Sequence, residues 1–149
     1  MKTREKLCSL LAGIFTVLIV IPITWMLVDR TPPYEYDQAN SYILPDIIRP
    51  GSQVTVRWAF SRINRLCPGT TERTIVDVRT GALVSYDPAP HALTIRPGDK
   101  FLERSFYIPL SMEPGRKAYR ARATFVCNPL QHLWPIVVQR PDLYFEVTK

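Results

Sequence analysis

An all-β domain, an antiparallel β-sandwich of about seven strands behind one N-terminal transmembrane α-helix, is the fold class this sequence predicts. Three observations carry the expectation. Leu7 to Val28, LCSLLAGIFTVLIVIPITWMLV, is a run of 22 residues without a charge. From Ile43 onward, apolar and polar residues alternate at a period of two in short stretches separated by Pro and Gly. No helical apolar period there lasts longer than one turn.

Residues 1–6 form a basic head, with Lys2, Arg4 and Lys6 against Glu5. Residues 7–28 are long enough to span a bilayer: at 1.5 Å per residue a helix of this length reaches roughly 33 Å, against a hydrocarbon core of about 30 Å. Pro22 is tolerable in such a span, and Trp25 stands where an indole suits the headgroup layer. A cleaved signal peptide competes with this reading, but its apolar core is shorter, and WMLVDRTPP offers no small-x-small cleavage site. The cations before the span, and the cancelling Asp29 and Arg30 after it, put the N-terminus in the cytoplasm and the rest outside. Cys8, inside the apolar run, reads as an apolar filler.

Residues 29–42, DRTPPYEYDQANSY, are polar and without period, and are expected to be an extended tether before a domain at 43–149. Within that domain Val54, Val56, Trp58 and Phe60 alternate after the Pro50–Gly51 turn, and TERTIVDVRTGALVSY reads as a hairpin turning at Thr80–Gly81. KFLERSFYIPL is a strand of ambiguous phase, with aromatics on both faces. Tyr119, Ala121, Ala123, Phe125 and Cys127 point inward, with Arg120, Arg122 and Thr124 outward. WPIVVQ and LYFEVTK, broken by Pro141, close the chain. Periodicity alone leaves a small barrel open beside the sandwich.

The succession PDIIRPGSQVTVRW, then PGRKAYRARATFVC before a last hairpin, resembles immunoglobulin-like and fibronectin-III-like modules. The whole chain, through its basic head, single span, DRTPP, Trp-ended strand, CPG turn and VCNP…LWPIVV hairpin, is similar to single-pass membrane proteins of bacteria and their tailed phages. That group has no assigned activity, so the likeness implies topology and fold but no chemistry. It places the domain in the periplasm, anchored in the inner membrane. In the immunoglobulin-type register Cys67 and Cys127 fall in loops at the same end, and the compartment is oxidising. A structural disulfide is expected; two buried free thiols, or a redox pair lacking C-x-x-C spacing, are the alternatives.

Candidate chemistry is sparse. The two histidines, His91 and His132, fit no zinc spacing, and neither a nucleophile elbow nor a phosphate-cradling glycine loop occurs. Asp46, Asp77, Asp87 and Asp99 stand singly beside turn residues, where Asp bonds local backbone. Residues 31–149 carry 15 Lys+Arg against 11 Asp+Glu. Cations such as Arg49, Arg57, Arg73, Arg96 and Arg104 are scattered rather than grouped as a nucleic-acid patch, and suit a solvated surface. The expectation is therefore a non-enzymatic chain without metal, cofactor, small-molecule substrate or nucleic-acid partner. It meets the lipid bilayer through residues 7–28 and an envelope protein or cell-wall component through its domain. The alternative is a phage-encoded inner-membrane effector, acting as a lysis accessory or in superinfection exclusion. The remaining candidate is a binding tip of Leu130, His132, Leu133 and Trp134 in the last hairpin. If the staple at Cys127 holds, this tip faces the membrane; Leu133 and Trp134 either close the end of the core or make contacts there.

Overall fold

The structure is a computed structural model describing residues 2–91, 95 and 98–149. Helix α1 runs Lys2–Val28, and its segment Ser9–Val28 is long and apolar enough to cross a membrane, with none of it buried against the rest of the chain. The side chains of Cys8 and His91, and Arg96 altogether, lie outside the described residues.

Two separately hydrogen-bonded sheets follow. One has the order β1-β3-β6, from Tyr34–Leu44, Gln53–Ile63 and Phe101–Tyr107, all antiparallel. The other has the order β2-β9-β7-β4-β5, from Ile47–Ile48, Leu143–Val147, Gly115–Phe125, Gly69–Asp77 and Leu83–His91; β8 (Ile136–Gln139) continues the β9 side of β7. Strand β2 pairs with β9 in parallel.

The tether expected over residues 29–42 is corrected here: β1 begins at Tyr34, so the domain starts nine residues before Ile43. Tyr34 is buried against Phe60 and Phe125, with ring centroids 5.4 Å apart in both pairs. What hides the strand in the sequence is an irregularity in its register between Asp37 and Tyr42. The Asp37 carboxylate accepts hydrogen bonds from the amides of Ala39 (3.0 Å) and Asn40 (3.3 Å), and Ser41 Oγ then accepts from the Ala59 amide (2.9 Å). Polar DQANS is thus a bulge whose side chains replace ladder bonds, which breaks the alternation without ending the strand.

Residues from both sheets share one core. Trp58 of β3 lies 5.6 Å from Tyr119 of β7, and Phe106 of β6 stacks on Tyr119 at 4.9 Å. The inward set Tyr119, Ala121, Ala123 and Phe125 is buried as its alternation requires, while Cys127 is half-buried. The phase of β6 resolves with Leu102 and Phe106 inward; Phe101 stays outside because the Arg57 guanidinium covers its ring at 4.3 Å. The hairpin turn falls between Asp77 and Leu83, with Gly81 at φ 74°, a left-handed conformation that Gly adopts without steric cost.

Two buried cations depart from the expectation of a solvated basic surface. Lys117 pairs with Asp77. Arg140 lies 4.4 Å over the Trp58 ring and donates from Nη2 to Thr71 Oγ1 at 3.0 Å, bridging the sheets. Burial pulls the Arg140 pKa below its ordinary value, opposed by Tyr36 and Tyr119.

Candidate functional site

A helix that stops leaves its last carbonyls without intrahelical donors, and something else must bond them. In α1 the Trp25 carbonyl takes the Asp29 amide at 2.9 Å, and the Met26 carbonyl takes Asn128 Nδ2 at 3.2 Å. Asn128 also caps the turn that follows it in the chain: its Oδ1 accepts from the Gln131 amide at 3.1 Å and opens the short 3₁₀ segment Pro129–His132. One side-chain amide therefore serves two elements.

Around it forms a collar. Gln131 is 2% exposed; its Nε2 donates to the Asp29 carbonyl (2.9 Å) and its Oε1 accepts from the Cys127 amide (2.8 Å). Arg65, just past β3, forms an ion pair with Asp29, and its Nη2 donates to the Thr31 carbonyl at 2.7 Å. That guanidinium holds the Asp29 carboxyl below its ordinary pKa, against a smaller opposing effect of burial. The Asn64 amide closes the ring on the Pro33 carbonyl at 2.8 Å. Residues 29–33 are thus bonded on several sides, unlike the open tether the sequence suggests.

Cys67 and Cys127 form a disulfide at this same end, joining the start of β4 to the end of β7. Within the collar the four residues of the expected tip separate. Leu130 is half-buried and lines a cleft of about 210 Å³ together with Met26, Leu27, Arg30, Gln131 and Trp134. His132 is exposed. Leu133 and Trp134 are 69% and 54% exposed, so they do not close over the core; the end of the core is closed by the disulfide and by Gln131. Arg30 Nη1 donates to the Trp134 carbonyl at 3.1 Å.

Sequence reasoning missed the residues that build this collar, namely Asp29, Arg30, Arg65, Asn128 and Gln131. The available signals were the helix-capping Asn before Pro129 and the charged pair straight after the apolar run. Among the described residues no group of three or more His, Cys, Asp or Glu could hold a metal ion.

No family model and no curated protein matches the chain. Among solved structures it is similar to the Pseudomonas fluorescens alkylpurine DNA glycosylase AlkC bound to DNA containing an abasic site analog, at TM-score 0.47 and 14% identity. The match covers 84% of this chain but 33% of that one, so this chain spans about a third of its length. At that score and identity the likeness identifies neither a fold nor an activity for this chain.

Proposed function

We propose that the chain is a single-pass membrane-anchored module whose domain stands outside the cytoplasm as an immunoglobulin-like or fibronectin-III-like sandwich. Its role is to engage another envelope component rather than to catalyse a reaction. The observation that carries this reading is the collar. An apolar helix with none of its span buried ends in hydrogen bonds to the stapled loop end of the domain. Asn128 bonds Met26 within the helix itself, a contact that a signal sequence destined for removal does not need, while Gln131 and Arg65 hold Asp29 and Thr31 directly after it.

Three further observations support it. The strand order, β1-β3-β6 in one sheet and the β9-β7-β4-β5 run within the other, supports an immunoglobulin-type Greek key. A disulfide fits an oxidising compartment. The cations of the basic head lie on the other side of the apolar segment from the disulfide, which agrees with a cytoplasmic N-terminus.

The test is a pair of C-terminal fusions in a bacterial host, one to a reporter active only outside the cytoplasm and one to a reporter active only inside. The first should be active and the second silent. Intact-mass measurement of the membrane fraction should find residues 1–28 retained. A shortened chain released into the soluble periplasm would replace the anchor by a cleaved signal. Crosslinking in the intact envelope, followed by purification of the full chain, then identifies what the domain holds.

A further inference from the structure

The cleft between the last turn of α1 and the 129–134 loop is half helix and half domain. We infer that it is a phospholipid site: Arg30 takes the phosphodiester, and Met26, Leu27, Leu130 and Trp134 take the glycerol and upper acyl region. This rests on the membrane-anchored reading above, and deepens it by naming a ligand.

Depth selects the occupant. Met26 and Leu27 belong to the apolar segment that ends at Val28, so whatever lies against them sits where hydrocarbon gives way to headgroups. The cleft is fixed to that depth by the Asn128–Met26 and Gln131–Asp29 bonds. A lipid is the one molecule always present there, with apolar and anionic parts in the order that the lining presents.

Charge selects the headgroup. Arg30 is the one charged residue lining the cleft among the described residues. Asp29 beside it is neutralised by Arg65, whose guanidinium is occupied by Asp29 and Thr31. Arg30 is exposed and uses one N–H on the Trp134 carbonyl, which leaves most of a five-donor fork for a phosphate. Gln131, the other polar lining residue, has its amide committed to Asp29 and Cys127, so it shapes the floor without competing for the ligand. A lone guanidinium with no carboxylate in the lining favours a lipid of net negative charge over a zwitterionic one.

The test uses the full chain carrying Trp25→Phe, which leaves Trp134 as the indole at headgroup depth, in vesicles of phosphatidylcholine and phosphatidylglycerol. Trp134 emission is measured with bromine on the acyl chains of one lipid or the other. Quenching by brominated phosphatidylglycerol should exceed that by brominated phosphatidylcholine several-fold. Arg30→Gln should bring the two to parity without changing the domain's melting temperature, and Arg30→Lys should keep part of the preference. Soluble glycerol 3-phosphate should leave the ratio unchanged; if it abolishes the preference, the site takes free phosphate and the lipid assignment is wrong. Equal quenching in a chain that resists carbonate extraction overturns the lipid site alone. Extraction by carbonate overturns the anchor with it. Loss of the preference in both variants together with a lower melting temperature would make Arg30 a structural residue, and would also overturn the site.

Discussion

Lys117 is 3% exposed, and a buried ammonium is tolerated only because a carboxylate meets it. Asp77 meets it while also accepting the amides of Arg79 (2.9 Å) and Thr80 (2.7 Å), so one side chain holds the hairpin turn and the strand beneath it. Lys117, and after it the Thr80 amide, hold the Asp77 carboxyl well below the usual carboxylate range. The sign follows from that depression: the stabilisation is complete above the unfolded-chain value of about 3.9 and is lost as pH falls through it toward the folded value. Asp77→Asn should therefore lower the melting temperature at neutral pH and flatten its fall in acid, as read by circular dichroism across a pH series. Adding Lys117→Met to that variant should recover part of the loss, because the uncompensated buried cation is gone. The tryptophans divide as sharply. Trp58 is fully buried, and Trp58→Ala should cost about 3–5 kcal/mol in denaturant unfolding. Trp134→Ala, at an exposed position, should stay within about 0.5 kcal/mol of wild type.

At the scale of elements, β4 lies so close to β7 that Gly69 has no room for a side chain. A Cβ there would stand 2.4 Å from the Thr124 carbonyl oxygen and 2.7 Å from the Phe125 ring. Backbone in a paired strand cannot step aside, so Gly69→Ala should destabilise the domain by about 1–3 kcal/mol, again by denaturant titration. Asn128→Asp separates the two duties of that residue. The cap oxygen for Gln131 survives, while the donor to Met26 is lost and a negative charge faces the helix C-terminus. Hydrogen exchange at residues 29–31 should quicken while that of the β7 core stays slow. What the sequence made legible follows the same division. Alternation in β3 and β7 was plain because one face is apolar and the other mostly polar. The disulfide could be placed because both cysteines fall at strand ends. β1 was not legible, since a bulge built from Asp37, Asn40 and Ser41 looks in sequence like a polar linker. Nor was the collar: its main bonds join distant residues, such as Arg65 to Asp29 at 36 positions and Gln131 to Asp29 at 102, which no local pattern records.

For the whole molecule, the bond between Cys67 and Cys127 closes a loop of 60 positions, which corresponds to about 4 kcal/mol in the chain-entropy description. Cys67→Ser should lower the melting temperature accordingly, and reduction should change the mobility of the wild-type chain but not of the variant on a denaturing gel. The collar has a mechanical consequence as well. Strand β3, eleven residues long, gives the domain a length of about 35 Å from the helix junction to the far turns. In the anchored arrangement proposed above, a helix hydrogen-bonded to such a body makes it a lever with its fulcrum at the bilayer surface. Transmembrane helices tilt by about 20° on average, more or less as the bilayer thins or thickens, and a rotation of that size displaces the far turns by roughly 12 Å. In the proposed anchored arrangement, bilayer thickness would thereby be converted into the position of the Pro50–Gly51 and Thr80–Gly81 turns.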